Sequence, residues 1–233
     1  MKQIIDRTRS LIIACDVPLP LYRQILKRTS DIDEVGAYKI GLVLALKYGL
    51  PKVVQITKDY TDKPIILDYQ KAGNDIPEIG YKFAKIAKQA GVDAVIILPL
   101  AGPTTQHSWI SAAYEENLGV IIGGLMSHKN FLRSDNGYIS DDAIKEIYGS
   151  QNDGRINDFY IAGNNPKKIR KLTEFIRGIR SDPVFYFAGL GKQGGSISDL
   201  VKIVGDNWHA IIGRDIYESG NIREATLRFV EQL

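Results

Sequence analysis

Short apolar runs alternate with longer amphipathic stretches along the whole chain. The apolar runs cover residues 11–17, 37–41, 64–69, 94–100, 119–126, 158–163, 184–190 and 210–217. Each is continuously apolar and rich in Ile, Val, Leu or aromatic residues, which is typical of parallel strands covered on both faces. The pattern therefore predicts eight buried parallel strands.

The stretches between these runs carry helical patterns. Within residues 78–91, the residues predicted to share one apolar face are Ile79, Phe83, Ile86 and Ala87. Gly91 is expected to end this helix, Pro166 to open a later one, and Asn221 to cap the last. The pattern of apolar and polar positions is least regular in residues 133–158, where we expect a loop with one short helix.

Strand–helix units spaced about 20–35 residues apart, without a linker rich in Pro, Gly or Ser, predict one closed barrel. We therefore expect an α/β fold, a TIM (β/α)8 barrel, in which residues 1–233 form a single domain. An open doubly wound sheet remains an alternative, because spacing alone does not distinguish the two. The first run is not followed by G-x-G-x-x-G, which argues against dinucleotide binding.

Composition and charge narrow the function classes. The net charge of +3 is too small to indicate nucleic acid or an anionic membrane as a partner. The N-terminus lacks the apolar core of a secretory signal, and no apolar run approaches the ~20 residues that span a bilayer. We expect a cytoplasmic protein. Cys15, the only cysteine, lies in an apolar run and is expected to be a buried thiol. The three histidines lack metal-ligand spacing, so no metal site is predicted.

Polar residues at the carboxyl ends of the strands are the candidates for chemistry, because active sites of such barrels lie there. These candidates are Asp16, Lys39, Asp68, Lys71, Asp75, Ser127, His128, Asn164 and Asn165, together with the segment 189–195 after the seventh run and Gly213 and Arg214, which break the eighth run. Lys39 lies inside an apolar run, and an unpaired buried charge is costly, so we expect it to meet a carboxylate at the barrel mouth. The glycine-rich segment 189–195, followed one strand later by Gly-Arg, offers phosphate both backbone amides and a guanidinium.

These motifs resemble the orotidine 5′-monophosphate decarboxylase family over nearly the whole chain. The matching segments are LIIACD, YKIG, the Asp/Lys/Asp-Ile-Pro cluster, MSH, AGNNP, GLGKQGG and IIGRDIY, in the family's order. The Asp/Lys/Asp element is shared with sugar-phosphate decarboxylases and synthases of the same superfamily. The glycine-rich loop containing Gln193, followed by Gly-Arg, is more specific to the nucleotide decarboxylase.

The resemblance implies a cofactor-free reaction centre. Asp68 would lie beside the leaving carboxylate of orotidine 5′-monophosphate, and Lys71 would protonate C6 of the pyrimidine to give uridine 5′-monophosphate. Asp16 and Lys39 would bind the ribose hydroxyls, with Lys39 also pairing the carboxylates. Asp75 would reach into the neighbouring subunit's site, which implies a homodimer with shared sites.

The resemblance also assigns the binding residues around this centre. Ile76 would contribute to substrate binding, and Ser127 would contact the pyrimidine. Gln193, Gly213 and Arg214 would hold the 5′-phosphate, with the segment 189–196 closing over it as a lid.

The sequence departs from the family pattern at two places. The family spacing D-x-K-x-x-D is expanded here to D-Y-Q-K-A-G-N-D, so Lys71 needs a bulge or loop after Asp68 to face the barrel mouth. Ile79 stands where the family commonly has Thr. Two alternatives stay open: a Mg²⁺-dependent sugar-phosphate decarboxylase or synthase, and a non-catalytic nucleotide-binding protein.

Overall fold

The structure is a computed structural model that describes residues 3–69, 72–149 and 155–233. Its described strands close into one parallel barrel in the order β1 to β8. The strands are β1 Arg9–Cys15, β2 Val35–Gly41, β3 Ile65–Asp68, β4 Ala94–Ile97, β5 Gly119–Gly123, β6 Asp158–Ala162, β7 Val184–Ala188 and β8 Trp208–Ile212. The predicted (β/α)8 barrel is confirmed, and the open sheet is excluded. That residues 1–233 form one domain stays a prediction.

Helices surround the barrel. In the described residues they are α1 Leu19–Thr29, α2 Leu42–Tyr48, α3 Leu50–Lys58, α4 Ile79–Gln89, α5 Pro103–Glu115, α6 Asp141–Gly149, α7 Pro166–Ile179, α8 Ile197–Val204, α9 Arg214–Tyr217 and α10 Ile222–Val230. The predicted caps are present: Asn221 accepts a hydrogen bond from the Glu224 amide, and Pro166 opens α7 after an Asn165 cap. The least regular region contains a short 3-10 turn, Arg133–Asp135, and α6. None of the described helices has the length and apolar character needed to cross a membrane.

Two apolar layers hold the barrel together because side chains of successive strand residues point to opposite faces. Ile12, Ile66 and Ile211 belong to the cluster that fills the barrel interior. Leu11 and Ile13 belong to the larger cluster between the strands and the helices. β2 is buried at every position, which explains why the strand runs read as continuously apolar.

Cys15 lies in the outer layer and is fully buried, as predicted. Burial raises the pKa of its thiol well above the ordinary value, because the thiolate would lose its hydration.

The apolar run 210–217 is broken at Gly213, as expected: β8 ends at Ile212, and Gly213 (φ −125°, ψ −85°) leads into the short helix α9. One expectation about a helix face is wrong. Ile86 is not part of the buried face of α4, because 60% of its surface is exposed. The buried stripe of α4 instead consists of Gly80, Ala84 and Ala87.

Candidate active site at the barrel mouth

The carboxyl ends of the strands form one mouth, because all eight strands are parallel and pair in sequence order. The candidates that lie in a strand or in the connection shortly after it are Asp16, Lys39, Asp68, Ser127, Gln193, Gly213 and Arg214. They come from β1, β2, β3, β5, β7 and β8, so the closed topology gathers residues that are far apart in sequence. Lys71 lies outside the described residues.

Lys39 and Asp68 form a buried ion pair, as the sequence predicted for Lys39. The Lys39 ammonium donates a hydrogen bond to Asp68 Oδ2, and each residue exposes only 6% of its surface. Burial by itself lowers the pKa of Lys39, but the adjacent Asp68 carboxylate outweighs this effect, and the net direction is upward. The ammonium is therefore held in its charged form.

Asp68 has one further buried oxygen. Its Oδ1 accepts no hydrogen bond from the described residues. A buried carboxylate oxygen costs free energy when it has no donor, so this atom is an acceptor that a ligand or an additional side chain can satisfy.

Asp16 follows β1 and lies against β2. Its carboxylate packs on the Cα of Gly41, so that any side chain at position 41 would overlap it. Asp16 also contributes to the upward pKa shift of Lys39 through its negative charge. The structure therefore brings Asp16, Lys39 and Asp68 into one charged cluster, with the exposed Asp16 at the solvent side.

The chain after Asp68 turns before it reaches α4. The Ala72 amide donates to the Tyr69 carbonyl at 2.6 Å, and Ala72 is fully buried. Gly73 has φ +86°, where a Cβ would lie 2.8 Å from Ile97 Cγ2. This backbone conformation favours glycine and is consistent with the loop that the expanded Asp68–Asp75 spacing requires.

Asp75 and Ile76 lie on the outer side of this loop. Asp75 is exposed, and its carbonyl accepts a hydrogen bond from Thr105 Oγ1 on α5 at 3.1 Å. The Ile76 carbonyl accepts from Trp109 Nε1 at 3.2 Å, while 59% of the Ile76 surface is exposed. This part of the loop is thus anchored to α5 by its main chain, while the side chains of Asp75 and Ile76 are exposed.

The predicted phosphate-binding segment lies on the opposite side of the mouth, after β7. Gln193 ends a 3-10 turn, Gly191–Gln193, and its Oε1 accepts a hydrogen bond from Ser127 Oγ at 3.2 Å. Asn164 Nδ2 donates to the Ser127 carbonyl at 2.8 Å. The carboxamide of Gln193 therefore already meets the segment after β5.

Gly213 and Arg214 complete this side of the site. Gly213 precedes α9, and a Cβ at this position would lie 3.1 Å from the Ala14 carbonyl oxygen. The side chain of Arg214 is exposed and forms no hydrogen bond or ion pair with the described part of the chain, while its main-chain carbonyl accepts from the Glu218 amide within α9. Its guanidinium is therefore available to an anion entering the mouth.

The sequence assigned no individual role to four residues near this segment. Lys192 donates through its amide to Asp215 Oδ2 at 3.0 Å and through Nζ to Glu218 Oε2 at 2.6 Å. Asn164, as described above, orients Ser127. The pair Asn164–Asn165 after β6 was visible in the sequence, but the contacts of Asp215 depend on a loop conformation that no periodicity encodes.

Comparison with known proteins agrees with this architecture. Residues 9–229 match the model of the orotidine 5′-phosphate decarboxylase / HUMPS family. An orotidine 5′-phosphate decarboxylase of Methanocaldococcus jannaschii is 28% identical over 233 residues, which cover 99% of this chain and 95% of that protein. One of Thermococcus kodakarensis is 30% identical, covering 96% of each chain. A crystal structure of the M. jannaschii enzyme with the inhibitor BMP superimposes with a TM-score of 0.83 at 25% identity, covering 97% of this chain and 99% of that one.

Proposed function

Because the chain belongs to the orotidine 5′-phosphate decarboxylase / HUMPS family, we propose that it converts orotidine 5′-monophosphate to uridine 5′-monophosphate and CO₂ in de novo pyrimidine synthesis. It is a carboxy-lyase, as its family relatives are. The observation that carries the substrate assignment is the buried Lys39–Asp68 pair facing, across one mouth, the Gln193–Arg214 side. Both the carboxylate and the phosphate of this substrate are anions: the phosphate would lie at the Gln193–Arg214 side, and the carboxylate would lie at the Lys39–Asp68 side, where we assign a further ammonium to Lys71. We place the reaction in the cytoplasm.

The reaction centre that we propose uses fixed charges. Loss of CO₂ leaves an electron pair at C6 of the pyrimidine, which the ring delocalises poorly. An ammonium held beside C6 stabilises that charge and then donates its proton to it. We assign this role to Lys71. Asp68 lies beside the leaving carboxylate, and Lys39, whose pKa is raised by Asp68, keeps the carboxylate cluster paired.

The remaining polar groups orient the nucleotide. Asp16 accepts hydrogen bonds from the ribose hydroxyls, and Lys39 donates hydrogen bonds to them. Ser127 contacts the pyrimidine. Gln193, Gly213 and Arg214 hold the 5′-phosphate. The phosphate is remote from the bond that breaks, so its binding energy can serve to close the segment 189–196 and lower the barrier at C6. No step in this scheme calls for a cofactor.

The direct test is decarboxylation of orotidine 5′-monophosphate in the presence of a chelator. We expect turnover by the wild type, no turnover by Lys71→Ala, and retained binding of uridine 5′-monophosphate by that variant. Lys171→Ala, an exposed lysine on α7 and away from α4, serves as the matched control and should retain activity. Turnover by Lys71→Ala would refute the assignment of the proton donor.

The same assay separates the two alternative functions. The family model also covers HUMPS proteins, which favours a Mg²⁺-dependent sugar-phosphate decarboxylase or synthase as the second candidate. That function predicts activity on a sugar phosphate that is lost on chelation, with none on the nucleotide. The expanded spacing between Asp68 and Asp75 favours a non-catalytic binding protein, which would bind uridine 5′-monophosphate without turning over the orotate nucleotide.

We also propose that the active form is a homodimer in which Asp75, and the adjacent Ile76, complete the partner's site. The support is the outward position of this loop and the exposure of neighbouring apolar side chains: Tyr81 and Ile86 on α4 expose 52% and 60% of their surfaces. Large exposed apolar side chains grouped on one side of a protein commonly mark an interface.

Mixing two inactive variants tests the shared site. Lys71→Ala supplies an intact Asp75, and Asp75→Asn supplies an intact Lys71. In a randomly mixed population with two-fold symmetry, about a quarter of the sites contain both intact groups, so about a quarter of wild-type activity should return. Sites built within one chain would show no recovery on mixing.

A further inference from the structure

The segment between β7 and α8 is tied to α9 by contacts that the proposed reaction does not use. Asp215 Oδ2 accepts the Lys192 amide at 3.0 Å. The same carboxylate packs on Gly191, where a Cβ would lie 2.6 Å from Oδ2. Gly191 has φ +66°, so both its backbone angle and this contact exclude a side chain. The carboxylate therefore fixes the main chain of two consecutive residues directly before Gln193.

Electrostatics makes this carboxylate an unexpected neighbour for a phosphate. Asp215 follows Arg214 directly, and a negative charge beside the guanidinium lowers the local potential that attracts an anion. Considered as a charge alone, Asp215 weakens phosphate binding. Considered as a hydrogen-bond acceptor, it strengthens binding by holding the loop in place. The two effects have opposite signs, so they can be separated by experiment.

Resting on the function proposed above, we propose that Asp215 is a positioning residue for nucleotide binding. Its carboxylate anchors the Lys192 main chain and thereby places the Gln193 carboxamide where it meets Ser127 and the 5′-phosphate. The ion pair between Lys192 Nζ and Glu218 is a separate surface contact, with half-exposed side chains at 50% and 48%. Such exposed pairs contribute little, so the anchoring function belongs to Asp215 and not to Glu218.

The test compares Asp215→Ala, Asp215→Asn and Glu218→Ala by the dissociation constant of uridine 5′-monophosphate and by kcat and KM for orotidine 5′-monophosphate. Loss of a charge-assisted hydrogen bond predicts about a 10- to 100-fold increase in both the dissociation constant and KM for Asp215→Ala. The change in kcat should be smaller. Asn keeps an acceptor oxygen, so Asp215→Asn should recover most of the loss, and Glu218→Ala should change either constant by less than about 5-fold.

Asp31→Ala is the matched control. Asp31 lies between α1 and β2, at the other end of the barrel, and also accepts a charge-assisted hydrogen bond, from Arg223 at 2.7 Å. It should lower thermal stability by no more than Asp215→Ala does and leave KM unchanged. A purely structural role for Asp215 would likewise lower the melting temperature of Asp215→Ala without moving KM, and that result overturns the proposal.

Two further outcomes overturn it. Tighter nucleotide binding by both Asp215→Ala and Asp215→Asn would mean that charge dominates. An equal loss in Glu218→Ala would mean that the ion pair positions the loop. Failure of the proposed function can be distinguished from failure of this proposal. If the wild type binds uridine 5′-monophosphate but does not turn over orotidine 5′-monophosphate, the proposed function is wrong, and the dissociation constants of the variants still decide the role of Asp215. A wild type that does not bind the nucleotide contradicts both.

Discussion

Replacing Lys39 with methionine removes the ammonium while keeping a side chain of similar length in the barrel. Asp68, which exposes only 6% of its surface, then loses its cationic partner. Breaking a buried ion pair from one side costs about 3–5 kcal/mol. For a chain of this size, each kcal/mol corresponds to about 2–4 °C, so the melting temperature should fall by about 6–20 °C.

Denaturant titration of single and double variants measures this cost. Lys39→Met should be destabilised by the full amount, whereas Lys39→Met/Asp68→Leu removes both charges and should recover most of the stability. The series is repeated in the Lys71→Ala background, so that no second ammonium can compensate for the lost partner. Decarboxylase activity should be absent from both variants, which separates stability from function. A double variant as unstable as Lys39→Met, or a loss below about 1 kcal/mol in Lys39→Met, would refute the reasoning.

Three further predictions concern the mouth, the barrel interior and the single thiol. Arg214→Ala should weaken binding of uridine 5′-monophosphate about 10-fold or more, and Arg214→Lys should not restore it fully, since an ammonium cannot form the bidentate contact; equal binding by all three proteins would contradict the role of Arg214. Burial lowers the pKa of His209 to about 3, so the imidazole is neutral when folded, and its Nδ1 lies 2.8 Å from Ser10 Oγ. Wild type should therefore lose unfolding free energy relative to His209→Asn as the pH falls from about 6.5 toward 3; a pH-independent difference would disprove this. Cys15 should resist alkylation in the native protein and react after unfolding, and rapid labelling of the native state would contradict its burial.

The strand pattern was readable because parallel strands in a barrel are buried on both faces. Every position of β2 is buried, and the predicted runs overlap all eight strands. The sequence predicted that Lys39 pairs with a carboxylate, because a buried ammonium in an apolar strand needs an opposite charge. Which carboxylate it meets depends on the pairing of β2 with β3, where Gly41 lies opposite Asp68. That register is a property of the closed barrel and is not encoded locally.

The spacing of apolar residues did not locate the exact edge of a buried helix face or the exact end of a strand. Ile86 fits a helical spacing with Phe83 and Ile79, yet it lies at the edge of a stripe centred on Ala84 and Ala87 and is exposed. The apolar run after Ile212 continues into Ile216 and Tyr217, but Gly213 changes the backbone direction, and the apolar spacing becomes helical. Apolar content alone therefore does not locate the end of a strand, and Gly-Arg here marks the break.

The expanded segment after Asp68 shows how a barrel can absorb two additional residues near the proposed reaction centre. A strand continued by one residue would reverse the direction of every following side chain. The described chain instead leaves strand geometry after Asp68. The Ala72 amide donates to the Tyr69 carbonyl, Gly73 is left-handed, and directly after β4 the Leu98 amide donates to the Ala72 carbonyl at 3.2 Å. The extra length is thus taken up within the connection, so the register of β3 against β2 and β4 can be kept. The position of Asp68 beside Lys39 does not depend on the length of this loop, because both residues lie in the paired strands β2 and β3.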